Sequence, residues 1–197
     1  MTKNKQIVLG VTGASGAVYA MGLLRRLLEA GVVVHWVVSA MGTRLLREEA
    51  GLMKHDREHL MCGVAACADQ LVIHQVRDVG ACIASGSFRH DGMVVAPCSS
   101  KTLGMVANGC GDNLIHRACH VSLKERRKLI LLHREMPLSL IDIGNMQTLT
   151  QAGAVIVPAS PGFYTRPQTI DDLVDFVVGR VLDLLEIEHS LDIRWEG

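Results

Sequence analysis

Aromatic side chains are scarce in this sequence. Three Phe, two Trp and two Tyr make up 4% of 197 residues, although 49% of the chain is hydrophobic. A core with few rings must be built from Val, Ile, Leu, Ala and Met, and such aliphatic runs suit a parallel sheet buried on both faces. Surplus charge is missing too. The 20 Lys and Arg balance the 20 Asp and Glu, so no overall field draws the chain to nucleic acid or anionic lipid. Long apolar runs are also absent: VVVHWVV and LVDFVV fall far short of the roughly 20 residues a membrane helix needs. TKNKQIVLG leads straight into a short strand and does not resemble a signal peptide. The expectation is a soluble cytoplasmic protein, one domain over residues 1–197, with neither membrane nor nucleic acid as partner.

Paired metal motifs are lacking. Six cysteines, at 62, 67, 82, 98, 110 and 119, form no CxxC unit and read as reduced thiols, mostly buried as small hydrophobes. His55, His59 and Cys62 fall at i, i+4 and i+7, with Cys67 beyond, and would share one face of a helix. Without paired units, no metal ligand is assigned. His116 and His120 repeat the four-residue spacing without the Glu of HExxH, and read as a helix surface or a subunit contact. The basic stretch Lys124, Arg126, Arg127, Lys128 contains Glu125 and reads either as a solvated helix end or as an anion site.

What is present is alternation. QIVLGVT (6–12) reads as a strand and SGAVYAMGLLRRLLEAG (15–31) as an amphipathic helix ending on Gly31. VVVHWVVS (32–39) is a second strand, followed by a helix through MGTRLLREEAG, whereas 52–70 has no regular pattern. LVIHQ (71–75) is a short strand, ACIASGSFRHDG (81–92) a loop, and MVVAPCS (93–99) a strand with a helix behind it in KTLGMVANG. DNLIHRACHVSLKERR (112–127) is helical with an Asp at its start, and KLILLHRE (128–135) is a strand that Pro137 breaks. SLIDIGNMQTLTQAG is helical, AVIVPAS (154–160) is the last strand, and the loop PGFYTRPQ (161–168) precedes a final helix in TIDDLVDFVVGRVLDLLEI. Strands alternating with helices, without hairpin turns, predict an α/β protein: a three-layer, doubly wound parallel sheet in a single domain. Right-handed crossovers place every strand's carboxyl end along one edge, where ligands bind in open sheets.

The residues that follow the strands share a character. They are Thr12-Gly13-Ala14-Ser15, Ser39, Ser85-Gly86-Ser87, Ser99-Ser100-Lys101-Thr102, Arg134-Glu135 and Tyr164. Hydroxyls at helix starts either cap the helix or bind phosphate, and several such turns on one edge favour a ligand. GVTGASG (10–16) spaces its glycines as GxxGxxG, and the second strand ends in Ser39-Ala40. A dinucleotide fingerprint requires GxGxxG and an acidic residue at that strand end. Neither is met, so a mononucleotide is expected, and flavin mononucleotide (FMN) suits a site lined by small residues.

VTGASGAVYA, ASGSF, PCSSKTL, DNLIHRA…SLKERR, HREMP and PGFYTRPQ, in that order, resemble the UbiX-type family of flavin prenyltransferases, from about residue 6 to Trp195. The resemblance implies a flavodoxin-like fold in a homo-oligomer, typically a dodecamer, with active sites between subunits. It implies transfer of a dimethylallyl group from dimethylallyl monophosphate to N5 and then C6 of reduced FMN. The product, prenylated FMN, is the cofactor of a UbiD-type decarboxylase. Carried over by motif, Gly13, Ala14, Ser15, Ser39, Ser99, Ser100, Lys101, Thr102 and Arg134 hold FMN. Ser87, Lys124, Tyr164, Arg180 and Trp195 meet the prenyl substrate. Ser15, Glu49, Lys124 and Glu135 are implied in catalysis, with Ser15 near flavin N5 and Glu49 handling protons. An FMN-dependent decarboxylase of cysteine-containing substrates shares the fold, but the PxMN-type motif of those relatives appears here as GNMQTLTQ without the Pro. A non-catalytic flavin-binding accessory subunit would have no use for an allylic phosphate pocket.

Overall fold

The computed structural model describes residues 4–61, 63–64, 68–191 and 193. Six strands form one parallel sheet: β1 (Gln6–Val11), β2 (Val33–Val38), β3 (Leu71–His74), β4 (Gly92–Cys98), β5 (Leu129–His133) and β6 (Val155–Pro158). The helices described are α1 (Ala17–Glu29), α2 (Ala40–Ala50), α3 (Arg57–Leu60), α4 (Ser100–Ala107), α5 (Leu114–Lys124), α6 (Leu140–Gln151) and α7 (Ile170–Leu184). The strand order is β3-β2-β1-β4-β5-β6. The chain winds outward from β1 and then returns to its other side with β4. That reversal opens a crevice beyond the carboxyl ends of β1 and β4, the place where such sheets bind ligands.

The aliphatic composition is spent on two packed faces. Ile7, Leu9 and Val11 point toward Leu23, Leu24 and Leu27 of α1 and Val174, Val178 and Val181 of α7. Val8, Met93, Val95, Leu129 and Leu131 meet Leu103, Ile115 and Cys119 on the other face. Odd and even positions of β1 serve opposite layers because side chains alternate across a strand. β4 and β5 are buried along their whole length, as central parallel strands are. Among the described residues, no helix is long and apolar enough to cross a membrane.

Several element ends differ from the sequence expectation. The first helix starts at Ala17, because Gly16 adopts φ 128, outside helical space. The helix expected over 112–127 spans Leu114–Lys124, and Asn113 rather than Asp112 is its cap, accepting the His116 N–H. It stops where Arg126 turns left-handed at φ 56. β5 ends at His133, so Arg134 and Glu135 leave the sheet and stand at the crevice. Segment 52–70 contains α3 and a 3-10 turn at Ala68–Gln70, and the 81–92 loop contains another at Cys82–Ala84. His55 precedes α3, so His55 and His59 share no helical face, and His59 Nδ1 instead lies 2.6 Å from Asp56. Cys62 and Cys67 lie outside the described residues.

The floor of the crevice is fixed by two close approaches. Thr12 is buried, and its hydroxyl donates to the Pro97 carbonyl at 2.8 Å while accepting the Ser99 N–H at 2.9 Å. α2 lies so near β1 that a Cβ at Gly42 would stand 2.6 Å from the Val11 carbonyl oxygen. Thr12→Val keeps the shape of the side chain but leaves the partly buried Ser99 N–H without its acceptor. We expect a loss of about 1–3 kcal/mol, read as a melting temperature lower by roughly 2–4 °C per kcal/mol at fixed protein concentration. An unchanged melting temperature contradicts the bridging role.

Candidate active site

A helix that starts on glycine has no side chain of its own to satisfy its first N–H groups. α1 is such a helix, and it lacks a side-chain cap at Gly16. Glu49, in the last turn of α2, supplies one from outside. Its Oε2 accepts the Gly16 N–H at 2.8 Å and the Ala17 N–H at 2.9 Å. The Ser15 hydroxyl also donates to Glu49, and the Arg134 charge lies close by. Arg134 Nε in turn donates to the Ser15 carbonyl at 3.0 Å. Partial burial pushes the Glu49 pKa up, but the two backbone N–H groups, the Ser15 hydroxyl and Arg134 outweigh it and hold the carboxyl below the usual glutamate value. The place where GVTGASG would offer an anion site at the start of α1 is therefore taken by a carboxylate of the same chain.

Phosphate-binding geometry lies next to it. A cavity of about 370 Å³ opens between the starts of α2 and α4, walled by Thr12, Gly13, Ser39, Met41, Ser99, Lys101, Thr102, Asn113 and His116 among others. Ser39 Oγ caps α2 by accepting the Gly42 N–H at 3.0 Å, and Ser99 Oγ caps α4 by accepting the Thr102 N–H at 3.3 Å. The N–H groups of the first residues of both helices have no intrahelical partner. Two positive helix ends and the exposed Lys101 thus serve one cavity, a donor set that fits a mononucleotide phosphate. A side chain at Gly13 would collide with Met41, so only backbone fits there, and neighbouring Ala14 is buried. Glu135 stands on the same edge, its Oε2 accepting the Ser100 hydroxyl at 3.2 Å.

His116 is not on a helix surface, one of the two readings that its spacing with His120 allowed. It is 2% exposed, lies in the cavity wall and has Nδ1 3.2 Å from Asp112, while burial pushes its pKa down against that carboxylate. His120 is partly buried as well. Met41, Asn113 and His116 escaped the sequence reading of the site. The only signal was the nearness of Asp112 to His116 in sequence; Asp112 lies just before the Asn113 cap, and the turn there brings its carboxylate to the imidazole.

The remaining sequence-derived residues form two further patches. Leu114 N–H bonds to the Val76 carbonyl just past β3, and α5 then runs back across the sheet. Its last residue, Lys124, lies at the amino edge, 2.9 Å from Glu125. Ser87 is on that edge too, 2.8 Å from the Ser85 hydroxyl, with Arg127 donating to the Gly86 carbonyl beside it. Lys124 and Ser87 are therefore separated from Ser15, Glu49 and Arg134 by the length of the strands. Tyr164 and Arg180 make the third patch. The Tyr164 ring meets Phe176 edge-on at 5.5 Å, and Arg180 follows one helical turn later, paired with Asp183 at 2.9 Å. Phe176 and Arg180 line a cavity of about 280 Å³ along the edge strand β6. Trp195 lies outside the described residues.

Comparison with known proteins gives a consistent picture. A family model described as Flavoprotein matches residues 1–182. The flavin prenyltransferase UbiX of Halalkalibacterium halodurans is 44% identical over 197 residues, covering 99% of this chain and 96% of its own length. A crystal structure of AnUbiX (PadA1) in complex with FMN and dimethylallyl pyrophosphate superposes with a TM-score of 0.89 at 39% identity, covering 99% of both chains. A dodecameric FMN-dependent Ubix-like decarboxylase from Escherichia coli O157:H7 superposes with a TM-score of 0.86 at 41% identity, over 98% of this chain and 99% of that one.

The capping role of Glu49 has a testable pH signature. A depressed folded pKa contributes stability that is present above the unfolded value, 4.5 for glutamate, and is lost as pH falls through the folded pKa. Glu49→Gln removes the charge at the helix start and should cost about 0.5–1 kcal/mol at neutral pH. Urea midpoints of the two proteins should then converge as the pH falls below 4.5 and through the lower folded pKa. A gap that stays constant across this range would show that the carboxylate charge is not what stabilises the helix.

Proposed function

The chain belongs to the flavoprotein family, among its UbiX-type flavin prenyltransferases, and from that membership we propose how its residues divide the reaction. It transfers a dimethylallyl group from dimethylallyl monophosphate to N5 and C6 of reduced FMN, giving the prenylated FMN that a UbiD-type decarboxylase uses. The observation that carries this reading is the presence of two separate places on one chain with donors for an anion, although in the second Tyr164 donates to the Ile193 carbonyl and Arg180 to Asp183. One is the cavity between α2 and α4; the other is the Tyr164 and Arg180 patch by β6. A transfer between two phosphorylated substrates needs both, whereas a decarboxylase or a flavin carrier needs only the first.

Ser39, Ser99, Ser100, Lys101 and Thr102 hold the FMN phosphate, and Gly13 and Ala14 let the isoalloxazine approach the backbone. When bound, reduced FMN supplies the nucleophilic ring atoms. Ser15, fixed between Glu49 and Arg134, positions a hydroxyl at the reacting edge, and Glu49 holds or accepts a proton there. Departure of the phosphate leaves an allylic cation and an anion whose charge grows as the bond breaks. Tyr164, Arg180 and Lys124 are donors for that anion, and preorganised donors contribute most where charge develops. Ser87 and Trp195 complete the walls that keep water from the cation.

Lys124 and Ser87 cannot reach the flavin cavity of their own chain, because they sit on the opposite sheet edge. They serve a neighbouring copy in a homo-oligomer, which we take to be a dodecamer like the E. coli relative. Glu135, bonded to Ser100, acts within its own chain. The protein works in the cytoplasm, where reduced FMN and its decarboxylase partner are at hand.

Anaerobic incubation with reduced FMN and dimethylallyl monophosphate should yield a flavin heavier by one prenyl unit in mass analysis. Recovery of unmodified FMN, with a working prenyltransferase as control, would overturn the reading. A parallel run with dimethylallyl pyrophosphate decides which donor is used. Arg180→Lys keeps the charge but loses the two-pronged fork, and kcat/KM should fall at least about tenfold. A rate within twofold of the parent removes Arg180 from the phosphate site.

A further inference from the structure

We propose that His35, His74 and Cys82 form a binding site for a zinc-class divalent ion, apart from the flavin cavity and independent of the transfer reaction. The topology brings them together. β2 and β3 pair in parallel with His35 opposite Val72 and Val37 opposite His74. Alternation along a strand then puts His35, Val72 and His74 on one face. The 3-10 turn Cys82–Ala84 comes over that face and delivers a thiol. One ligand atom from each of the three residues lies within 4.8 Å of the others. His35 Nδ1 and His74 Nε2 are 3.0 Å apart. Zinc–nitrogen bonds of about 2.0–2.1 Å at a tetrahedral angle place two nitrogens roughly 3.3 Å apart. The imidazoles are thus within a few tenths of an ångström of the spacing an ion requires, and Cys82, on an exposed turn, closes the third position.

The surroundings favour ligation. His35 Nε2 stands 3.2 Å from Gln6 Oε1. An N–H donated to that amide oxygen fixes the tautomer and leaves Nδ1 as a lone pair turned toward His74, the outer contact metal-bound histidines use. The Phe88 ring lies edge-on to His35 at 5.0 Å and limits its rotation. His35 is 4% exposed and Cys82 is open to solvent, so the site has a buried wall and an open fourth position. Two imidazoles and a thiolate select zinc or cobalt over magnesium or calcium, which take oxygen ligands. None of the three residues lines the flavin cavity. A bound ion would tie the edge strand β3 to the segment that carries Ser85–Ser87.

Cobalt(II) is the direct probe, because a thiolate ligand gives a near-ultraviolet charge-transfer band and tetrahedral geometry gives strong visible bands. Added to the reduced, metal-free full-length protein, Co²⁺ should produce both bands, saturate at one ion per chain and be displaced by Zn²⁺. Cys82→Ser should abolish the charge-transfer band, and Gln6→Leu should weaken binding about 10–100-fold. Cys110→Ser, which removes an exposed cysteine elsewhere, should leave the spectrum unchanged. Cys82→Ala serves as a second variant, and equal metal-free melting temperatures and FMN binding establish that each protein is folded. Lack of a band saturating at one equivalent, or a band that survives Cys82→Ser, overturns the site.

Discussion

One carboxylate oxygen organises the carboxyl edge of this protein's sheet. Glu49 Oε2 satisfies the two N–H groups that open α1, a helix whose glycine start can adopt the sharp turn but cannot cap itself. A cap of this kind is worth about 0.5–2 kcal/mol to a helix. Its larger consequence is geometric. The same carboxylate takes the Ser15 hydroxyl, and Arg134 grips the Ser15 carbonyl. The end of α2, the β1–α1 loop and the residue after β5 are thereby set against one another.

That arrangement changes what a glycine-rich loop is for. A helix start after a parallel strand ordinarily receives a phosphate. Here the chain fills the place with its own acid, and the neighbouring helix starts, α2 and α4, where Ser39 and Ser99 cap and Lys101 adds charge, are the ones that face an open cavity. The β1–α1 loop is left to hold a hydroxyl against a carboxylate, a pair able to pass a proton. Thr12 makes this stable by welding β1 to the end of β4.

The second organising fact is direction. Parallel strands send α5 back from the carboxyl edge to the amino edge, so Lys124 ends far from the cavity that its helix start helps to wall through Asn113 and His116. One helix therefore reaches both edges of the sheet.

The fold was legible from local pattern. Aliphatic runs separated by amphipathic helices specify a doubly wound sheet, and the elements appeared with ends shifted by one to three residues. The shifts have local causes that pattern hides, such as Asn113 capping in place of Asp112 and Arg126 turning left-handed. The hydroxyl-rich strand ends were legible as well, since crossover handedness alone gathers them on one edge. By itself the sequence thus determined the fold class and the family, and it placed the hydroxyl-rich turns on one sheet edge. Only the tertiary structure decided that Glu49 reaches α1, that His116 is a cavity wall, and that His35, His74 and Cys82 meet. Those contacts join residues far apart in the chain or buried by packing, and spacing along one element carries no information about which neighbour another element brings.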